Sequence, residues 1–322
     1  MNRFRLPAAI LLAAALCPAQ VRSDQNYVDQ VVESARKEFN VPGIAVAIVK
    51  DGNVVLAKGY GVRKQGEAAP VTTQSLFRIA SNTKAFTAAA LAMLVDERRL
   101  KWDDPVVQHM PGFQMYDPYV TREFTVRDLL THRSGLGLGA GDLMFFPPGD
   151  LGREEIIKRL RFIKPATSFR TAYAYDNLLY IVAGQLIPAI TGRTWDDFVR
   201  DRIFTPLGMS NTFTGVAALY KSKDVATPHN TLSGKLEALP QEDMDTSAPA
   251  GAIITCVDDL AKWMIAQLGG GTVGKTRLFT AAQGKEMWSA QTILPIDEPA
   301  KDSPAAFVAI VPPTDAPSYV GA

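Results

Sequence analysis

The amino-acid sequence predicts a mixed fold of α-helices and antiparallel β-strands. Two segments rich in β-branched residues, 44–49 and 54–60, are joined by a turn containing Asp51-Gly52, and this pattern is a strong signal for a β-hairpin. Residues 75–215 instead carry apolar side chains at helical spacing, which predicts a mostly helical block. A chain of 322 residues with 47% hydrophobic and 21% charged residues fits a soluble globular protein with one large domain or two interleaved ones.

Residues 1–19 have the organisation of a secretory signal peptide. Two arginines precede an apolar run over residues 6–16, which is too short to span a bilayer as a permanent anchor. Cys17 also suggests a lipoprotein anchor, but Leu16 before it is larger than the small residue expected at that position. We therefore expect a periplasmic or secreted protein, and no later segment is long and apolar enough to be transmembrane.

Charge, cysteine content and histidine spacing argue against nucleic-acid binding, an internal disulfide and a metal site. The segment 1–19 carries two arginines and no acidic residue, so its removal changes the formal net charge from +1 to −1, and nothing in that balance indicates nucleic acid. Cys256 is then the only cysteine, so no internal disulfide can form. No His or Cys pair has metal-ligand spacing, and we expect neither a metal nor another cofactor. The oligomeric state is not encoded in any pattern we recognise.

Helices and strands alternate with turn signals along the chain. A polar loop is expected at 63–74, and the glycine-rich segment 133–141 lacks the lysine of a phosphate-binding loop, so we interpret it as a flexible connection. The C-terminal part predicts a strand at 306–311, ended by two prolines. Helices are predicted at residues 26–39, 81–99, 125–132 (capped by Thr125), 154–162, 178–190, 194–203, 252–267 (with a strand at its start as an alternative) and 281–289.

The helix that begins near Ser81 carries the first chemical motif. Serine is favoured at a helix start, and the Ala/Leu-rich block that follows is strongly helix-forming. Lys84 is one turn on and points the same way. Because this helix is apolar most of the way round, it should be buried. Burial lowers the pKa of a lysine, so Lys84 could act as a base beside the Ser81 hydroxyl. The helix is predicted to end near Arg98 and Arg99.

Ser-x-x-Lys spacing alone is weak evidence, because roughly one match is expected by chance in a chain of this length. A second match, Ser34 to Lys37, lies in the charged segment 33–38, which we interpret as a solvated helix face. Ser81 differs from Ser34 because its helix is apolar and because a partner motif follows.

That partner motif is Tyr175-x-Asn177, just before an apolar helix. Residues two apart in an extended segment face the same way, so a phenol and a carboxamide could look into one cleft. The phenol can relay a proton, and the amide can orient a substrate carbonyl or the lysine. The alternative is a packed aromatic residue beside an asparagine that caps the following helix.

Together these motifs resemble those of the penicillin-recognising serine hydrolases. This superfamily comprises class C β-lactamases, DD-peptidases, and the esterases and D-aminopeptidases built like them. Ser81-x-x-Lys84 is followed about ninety residues later by Tyr175-x-Asn177, which is the order seen in the superfamily. The resemblance covers residues 27–292, and it is also carried by the connecting segments 129–136, 206–212 and 249–260.

The resemblance implies a β-lactamase/transpeptidase-like fold with its active site in a cleft. An antiparallel sheet flanked by helices would be formed by residues 20–74 and 240–322. A mostly helical part would be formed by residues 75–239. The cleft between the two parts would take a small-molecule or peptide substrate.

The resemblance also implies a role for each motif residue. Ser81 would attack the carbonyl of an amide, β-lactam or ester and form an acyl-enzyme. Lys84 and Tyr175 would share the base and acid roles, whose assignment is disputed in such enzymes. Asn177 would hold the substrate amide, and the backbone N–H of Ser81 would supply half of an oxyanion hole. Chemistry of this kind needs no cofactor.

One motif of the superfamily is not matched. It is a Lys-Thr-Gly or His-Thr-Gly sequence on a strand near the C-terminus, which supplies the second oxyanion donor. Residues 275–277 read Lys-Thr-Arg without the glycine, in what looks like a loop before a helix. The sequence therefore predicts a truncated or C-terminally divergent member, with an incomplete sheet and weak or no turnover. The alternative is a non-catalytic relative that binds acyl or peptidoglycan-like ligands.

A Ser-His-Asp hydrolase is the other enzyme class to consider. Such an enzyme needs one of the three histidines, His109, His132 or His229, beside a nucleophile. The sequence has no Gly-x-Ser-x-Gly elbow. We assign His132 to the short helix at 125–132 and His229 to a polar loop, so this class is disfavoured.

Overall fold

The computed structural model describes residues 25–294 and 318–321. The segment 1–19 and the strand predicted at 306–311 lie outside the described residues. The helices are α1 Gln25–Glu38, α2 Thr83–Asp96, α3 Val106–His109, α4 Pro118–Glu123, α5 Val126–Leu130, α6 Arg153–Arg159, α7 Leu178–Thr191, α8 Trp195–Val199, α9 Thr205–Leu207, α10 Ala217–Lys221, α11 Ala248–Gly251, α12 Val257–Leu268 and α13 Ala281–Met287. The strands are β1 Gly43–Lys50, β2 Asn53–Gly61, β3 Phe77–Arg78, β4 His229–Asn230, β5 Glu237–Ala238, β6 Ile254–Thr255, β7 Thr272–Val273, β8 Thr276–Arg277, β9 Ala290–Leu294 and β10 Ser318–Gly321.

Strands β1 and β2 form the hairpin that the sequence predicts. They pair antiparallel from Gly43 opposite Gly61 to Lys50 opposite Asn53, with a register shift between Ile48 and Val49. Helices α1 and α12 pack against this pair. The other strands in the described part of the chain also form antiparallel pairs, namely β3 with β6, β4 with β5, β7 with β8 and β9 with β10. The predicted combination of helices with small antiparallel sheets is confirmed.

Helix α2 lies at the centre of the main hydrophobic core. Eleven of its 14 residues are buried, and it contacts α7, α8, α11 and α13. The Phe86 ring stacks on Trp263 of α12 with centroids 4.1 Å apart. Thr87 Oγ1 accepts a hydrogen bond from Trp195 Nε1 (3.0 Å) and donates one to Pro249 O (2.7 Å). The buried helix predicted from its apolar composition is therefore present, and it holds Lys84 inside the core.

Two predicted helix ends are wrong. Helix α2 ends at Asp96 and not near Arg98 and Arg99, because Arg98 adopts a left-handed φ of +58° that a helix cannot continue. Helix α5 ends at Leu130, so His132, with φ +54°, lies beyond it. The N-terminus of α5 agrees with the prediction, since Thr125 caps it in a capping box with Asp128.

The segment around Lys275 also differs from the prediction. We expected residues 275–277 to be a loop. Instead, Thr276–Arg277 is a short strand that pairs antiparallel with Thr272–Val273 in a hairpin. Helix α13 follows it, as predicted. Within residues 25–294 and 318–321, no helix combines the length and hydropathy needed to cross a membrane.

Candidate active site

Ser81 lies in a short turn, Ala80–Asn82, between β3 and α2, and it is exposed. The backbone before this turn is anchored, because Ile79 N donates to Ile253 O (3.0 Å) and Ile253 N donates to the first side chain of α2 (3.1 Å). Ala80 has a φ of +45°, a strained value that persists only where the surrounding structure holds it. A serine hydroxyl is thus presented at the accessible end of a buried helix, where the sequence places it.

Lys84 lies one turn into the protein and is 7% exposed. Its Nζ donates to Ser81 Oγ (3.1 Å), Asn177 Oδ1 (2.7 Å) and the backbone oxygen of Ala250 (2.9 Å). An ammonium group has three N–H donors, so the charged form is fully satisfied here. Of the three partners, only the serine hydroxyl carries a proton that Lys84 could accept, because the other two are carbonyl oxygens.

Burial lowers the pKa of Lys84 to about 8, while the negative charges of Asp176 and Asp142 oppose this shift. Desolvation disfavours the charged form of an amine. A lysine with its ordinary pKa of 10.5 is almost wholly charged at neutral pH, whereas Lys84 has an appreciable neutral fraction. The neutral amine can serve as a base for Ser81.

Tyr175 contacts Ser81 Oγ as well. Its hydroxyl donates to that oxygen at 2.5 Å. Its ring packs on His132, with centroids 4.5 Å apart, and the Lys84 ammonium lies 4.7 Å from the ring centroid. Burial raises the pKa of Tyr175 above its usual 10, although the hydrogen bond to Ser81 opposes this. Tyr175 therefore keeps its proton near neutral pH and is suited to donate it.

Asn177 bridges Lys84 and a carboxylate. Its Oδ1 accepts from Lys84, and its Nδ2 donates to Asp142 Oδ2 at 3.0 Å. Asn177 occupies the N-cap position of α7, but its side chain makes no capping hydrogen bond. The alternative prediction, that the Asn177 side chain caps α7, is therefore wrong. The structure brings all four predicted site residues into one hydrogen-bonded cluster.

Sequence reasoning missed three residues beside this cluster. Asp142 follows the glycine-rich loop and contacts Asn177. His132 lies under Tyr175, and its Nδ1 accepts from Asp176 N at 3.3 Å. Asp176 is fully buried and caps the first turn of α7 through Leu179 N. The glycine-rich segment was the one signal for Asp142. Asp176 lies inside the Tyr175-x-Asn177 motif, and His132 was considered only as part of a Ser-His-Asp site.

The glycine-rich segment 133–141, interpreted from the sequence as a flexible connection, makes backbone hydrogen bonds to other parts of the chain. Gly139 N donates to Tyr175 O (2.9 Å), and Gly135 O accepts from the backbone N–H groups of Ala166 and Thr167 (2.8 and 3.1 Å). The first bond joins the loop to Tyr175, and the other two join it to the segment that contains Ala166 and Thr167. Within the described ranges, no group of three or more His, Cys, Asp or Glu side chains could hold a metal ion.

The chain is similar to a known protein family and to several of its members. A family model described as Beta-lactamase matches residues 28–299. An unguisins hydrolase from Aspergillus campestris is 32% identical over 288 residues, which are 86% of this chain and 52% of that protein. Penicillin-binding protein 4 of Amycolatopsis lactamdurans is 30% identical, over 82% of this chain and 69% of its own length. The solved D-amino acid amidase of Ochrobactrum anthropi, in complex with L-phenylalanine, matches with a TM-score of 0.69 and 25% identity, over 85% of this chain and 76% of the amidase. The chain spans about half the length of the first of these relatives.

Proposed function

This chain belongs to the beta-lactamase family, and we propose that it is a serine hydrolase whose acyl-enzyme forms on Ser81. One observation carries the proposal. The exposed Ser81 Oγ receives hydrogen bonds from both Lys84 Nζ, at 3.1 Å, and Tyr175 OH, at 2.5 Å. A nucleophile within hydrogen-bond distance of a base and of a proton donor is an arrangement suited to acyl transfer.

In the proposed reaction, neutral Lys84 takes the Ser81 proton as Oγ bonds to the substrate carbonyl carbon. The bond between that carbon and its leaving nitrogen or oxygen then breaks, and Lys84 and Tyr175 share the return of the proton to the leaving group. Water later attacks the acyl-enzyme and releases the acid. We assign the first proton transfer to Lys84, because burial lowers its pKa to about 8 while it raises that of Tyr175 above 10.

Amides, β-lactams and esters are the proposed substrate classes. Two relatives support the amide and β-lactam classes, since one is named a D-amino acid amidase and another a penicillin-binding protein. Asn177 would place its second Nδ2–H on the substrate carbonyl or amide. We also propose export from the cytoplasm, on the strength of the leader-like segment 1–19.

We propose weak turnover for this chain alone, because residues 275–277 do not match the third motif. In a related chemistry, loss of one oxyanion donor costs about 2.7–4 kcal/mol of transition-state stabilisation. Acylation would then be slow, and hydrolysis of the acyl-enzyme would be slow as well.

Intact mass spectrometry tests the proposal. Purified protein is exposed to a penicillin and to a fluorophosphonate, with Ser81→Ala and Ser34→Ala measured alongside. Ser34 is the matched control, since it heads the other Ser-x-x-Lys segment and is exposed on α1. We expect a covalent mass gain on the wild type and on Ser34→Ala but none on Ser81→Ala, and the adduct lifetime reports deacylation.

Two results would contradict the proposed function. An adduct that persists in Ser81→Ala would place the nucleophile elsewhere. A wild-type protein that is folded by circular dichroism yet takes up neither reagent would favour a relative that binds acyl ligands without acylation.

A further inference from the structure

We propose that Asp142 is a positioning residue of this site, whose carboxylate fixes the orientation of the Asn177 carboxamide between itself and Lys84. The inference rests on the proposed function of Ser81 and adds a residue to it. It also gives a function to the glycine-rich loop at 133–141, which lies outside both the Ser-x-x-Lys and the Tyr-x-Asn motif.

The first argument is the hydrogen-bond pattern around Asn177. Lys84 Nζ donates to Oδ1 at 2.7 Å, and Nδ2 donates to Asp142 Oδ2 at 3.0 Å. A carboxamide has an acceptor end and a donor end. The reverse orientation would place N–H groups against an ammonium and an oxygen against a carboxylate. Asp142 and Lys84 together therefore allow one orientation, and in that orientation the second Nδ2–H is free for a substrate oxygen.

The second argument is the backbone that delivers Asp142. Gly141 has a φ of +80°, and a Cβ there would lie 2.5 Å from Leu178 Cδ1 and 3.0 Å from Ile163 Cδ1. A residue other than glycine would be strained at this φ, and its Cβ would displace the Leu178 side chain. The turn is closed by Asp142 N, which donates to Gly139 O at 3.1 Å. The loop is thus shaped to bring one acidic side chain against the first turn of α7.

The third argument is an unsatisfied atom. Among the residues that the structure describes, Asp142 Oδ1 is one of two buried side-chain polar atoms without a hydrogen-bond partner. Leaving such an atom unpaired is costly, and it calls for a reason. The other carboxylate oxygen of Asp142 accepts from Asn177, and the Asp142 charge acts on Lys84. These two interactions give a reason for placing a carboxylate here in spite of its unpaired oxygen.

Few charged groups act on Asp142 and Lys84. The charges that act on Asp142 are those of Asp176 and Lys84. The charges that act on Lys84 are those of Asp176 and Asp142, and its ammonium also lies near the rings of Tyr175 and Tyr180. Burial raises the pKa of Asp142, and its hydrogen bond from Asn177 opposes this. Loss of the Asp142 charge would lower the pKa of Lys84 further.

Two substitutions separate position from charge. Asp142→Asn keeps an oxygen that can accept from Asn177 but removes the charge. Asp142→Ala removes both. Asp150→Ala is the control, because Asp150 is an exposed acid in the same region of the chain and its loss changes the net charge equally.

The test is the second-order rate of fluorophosphonate labelling at Ser81 between pH 6 and 10. Asp142→Ala should label about 10- to 100-fold more slowly, as expected when a reacting group is misplaced by about 1 Å. Because Asp142 acts through Asn177, the double variant Asp142→Ala/Asn177→Ala should be no slower than Asn177→Ala alone. Asp142→Asn should stay close to the wild-type maximum, with the midpoint of its pH profile at lower pH.

The outcomes are distinguishable. Additive losses in the double variant, or wild-type rates in both Asp142 variants, would overturn the positioning role while leaving the proposed function intact. A folded wild-type protein that is never labelled would overturn the proposed function and this inference with it. If Asp142→Ala does not fold, Asp142→Leu replaces it, because leucine has a similar size but cannot accept a hydrogen bond from Asn177. Wild-type labelling by Asp142→Leu would overturn the positioning role.

Discussion

Lys84 combines the base role that we propose for it with a cost in stability. It is 7% exposed, and its three hydrogen bonds to oxygen offset only part of the loss of water. Desolvation therefore lowers its pKa from 10.5 to about 8. The same shift that supplies a base near neutral pH means that the folded state holds the proton less firmly than the unfolded state does.

This difference predicts a pH dependence of stability. Between the folded pKa of about 8 and the unfolded value of 10.5, the unfolded state binds more protons, so the free energy of unfolding rises with pH. The contribution of Lys84 over this window is roughly 3 kcal/mol. Urea unfolding of the wild type and of Lys84→Met at pH 7 and pH 10 checks this. The wild type should gain stability relative to the variant, and an unchanged difference would show that burial does not shift the pKa of Lys84.

At the scale of elements, the site depends on close packing of α2, α7 and α11. Lys84 on α2 donates to Ala250 O of α11, and Thr87 on the next turn donates to Pro249 O. Pro249 in turn packs on Gly184 of α7, where a Cβ would lie only 2.2 Å from Pro249 Cγ. Gly184 therefore lets α11 approach α7 closely, and this approach sets the position of Ala250 O, one of the acceptors for Lys84.

We expect Gly184→Ala to disturb both stability and labelling. Overpacking a dense core typically costs about 1–3 kcal/mol, and movement of α11 would lengthen the bond from Lys84 to Ala250. Gly112→Ala is the matched control, because nothing lies within 4 Å of a Cβ at Gly112. Thermal unfolding and the rate of Ser81 labelling measure the two effects. A Gly184→Ala protein as stable and as reactive as Gly112→Ala would contradict this account.

At the scale of the whole molecule, burial is unevenly distributed. Helices α2 and α7 are buried over most of their length. Helix α1, which lies entirely within the described residues, has no buried residue, and in strand β1 seven residues are half-buried and the last is exposed. A two-stranded hairpin is only marginally stable without further neighbours. The N-terminal unit, which consists of α1, β1 and β2, thus contributes less to the core than helices α2 and α7.

Hydrogen exchange should reveal this difference. Amides in α2 and α7 should exchange only on global unfolding, whereas those in α1, β1 and β2 should exchange through local opening at lower free energy. Exchange followed by mass spectrometry on proteolytic peptides measures both sets in one experiment. Equal protection of α1 and α2 would show that the N-terminal unit is stabilised as strongly as the helical block.

Much of this architecture could be predicted from local sequence. The β1–β2 hairpin follows from its Asp-Gly turn, and α2 follows from its Ala/Leu-rich composition. The proximity of Ser81 and Lys84 follows from helical spacing, because residues three apart share a face. The errors fall where local signals compete with backbone geometry, as at Arg98 and His132, which take left-handed φ values that no pattern of residue types indicated.

What only the tertiary structure decided is the set of partners around the lysine. Asn177 and Ala250 are far from Lys84 along the chain, and they contact it because α7 and α11 converge on α2. Asp142 is linked to Lys84 through Asn177. The placement of Ser81 one turn before Lys84, at the N-terminal end of α2, was determined by the sequence alone, since periodicity is a local property. The lowered pKa of Lys84 was not, because desolvation depends on how many remote atoms replace water around the amine.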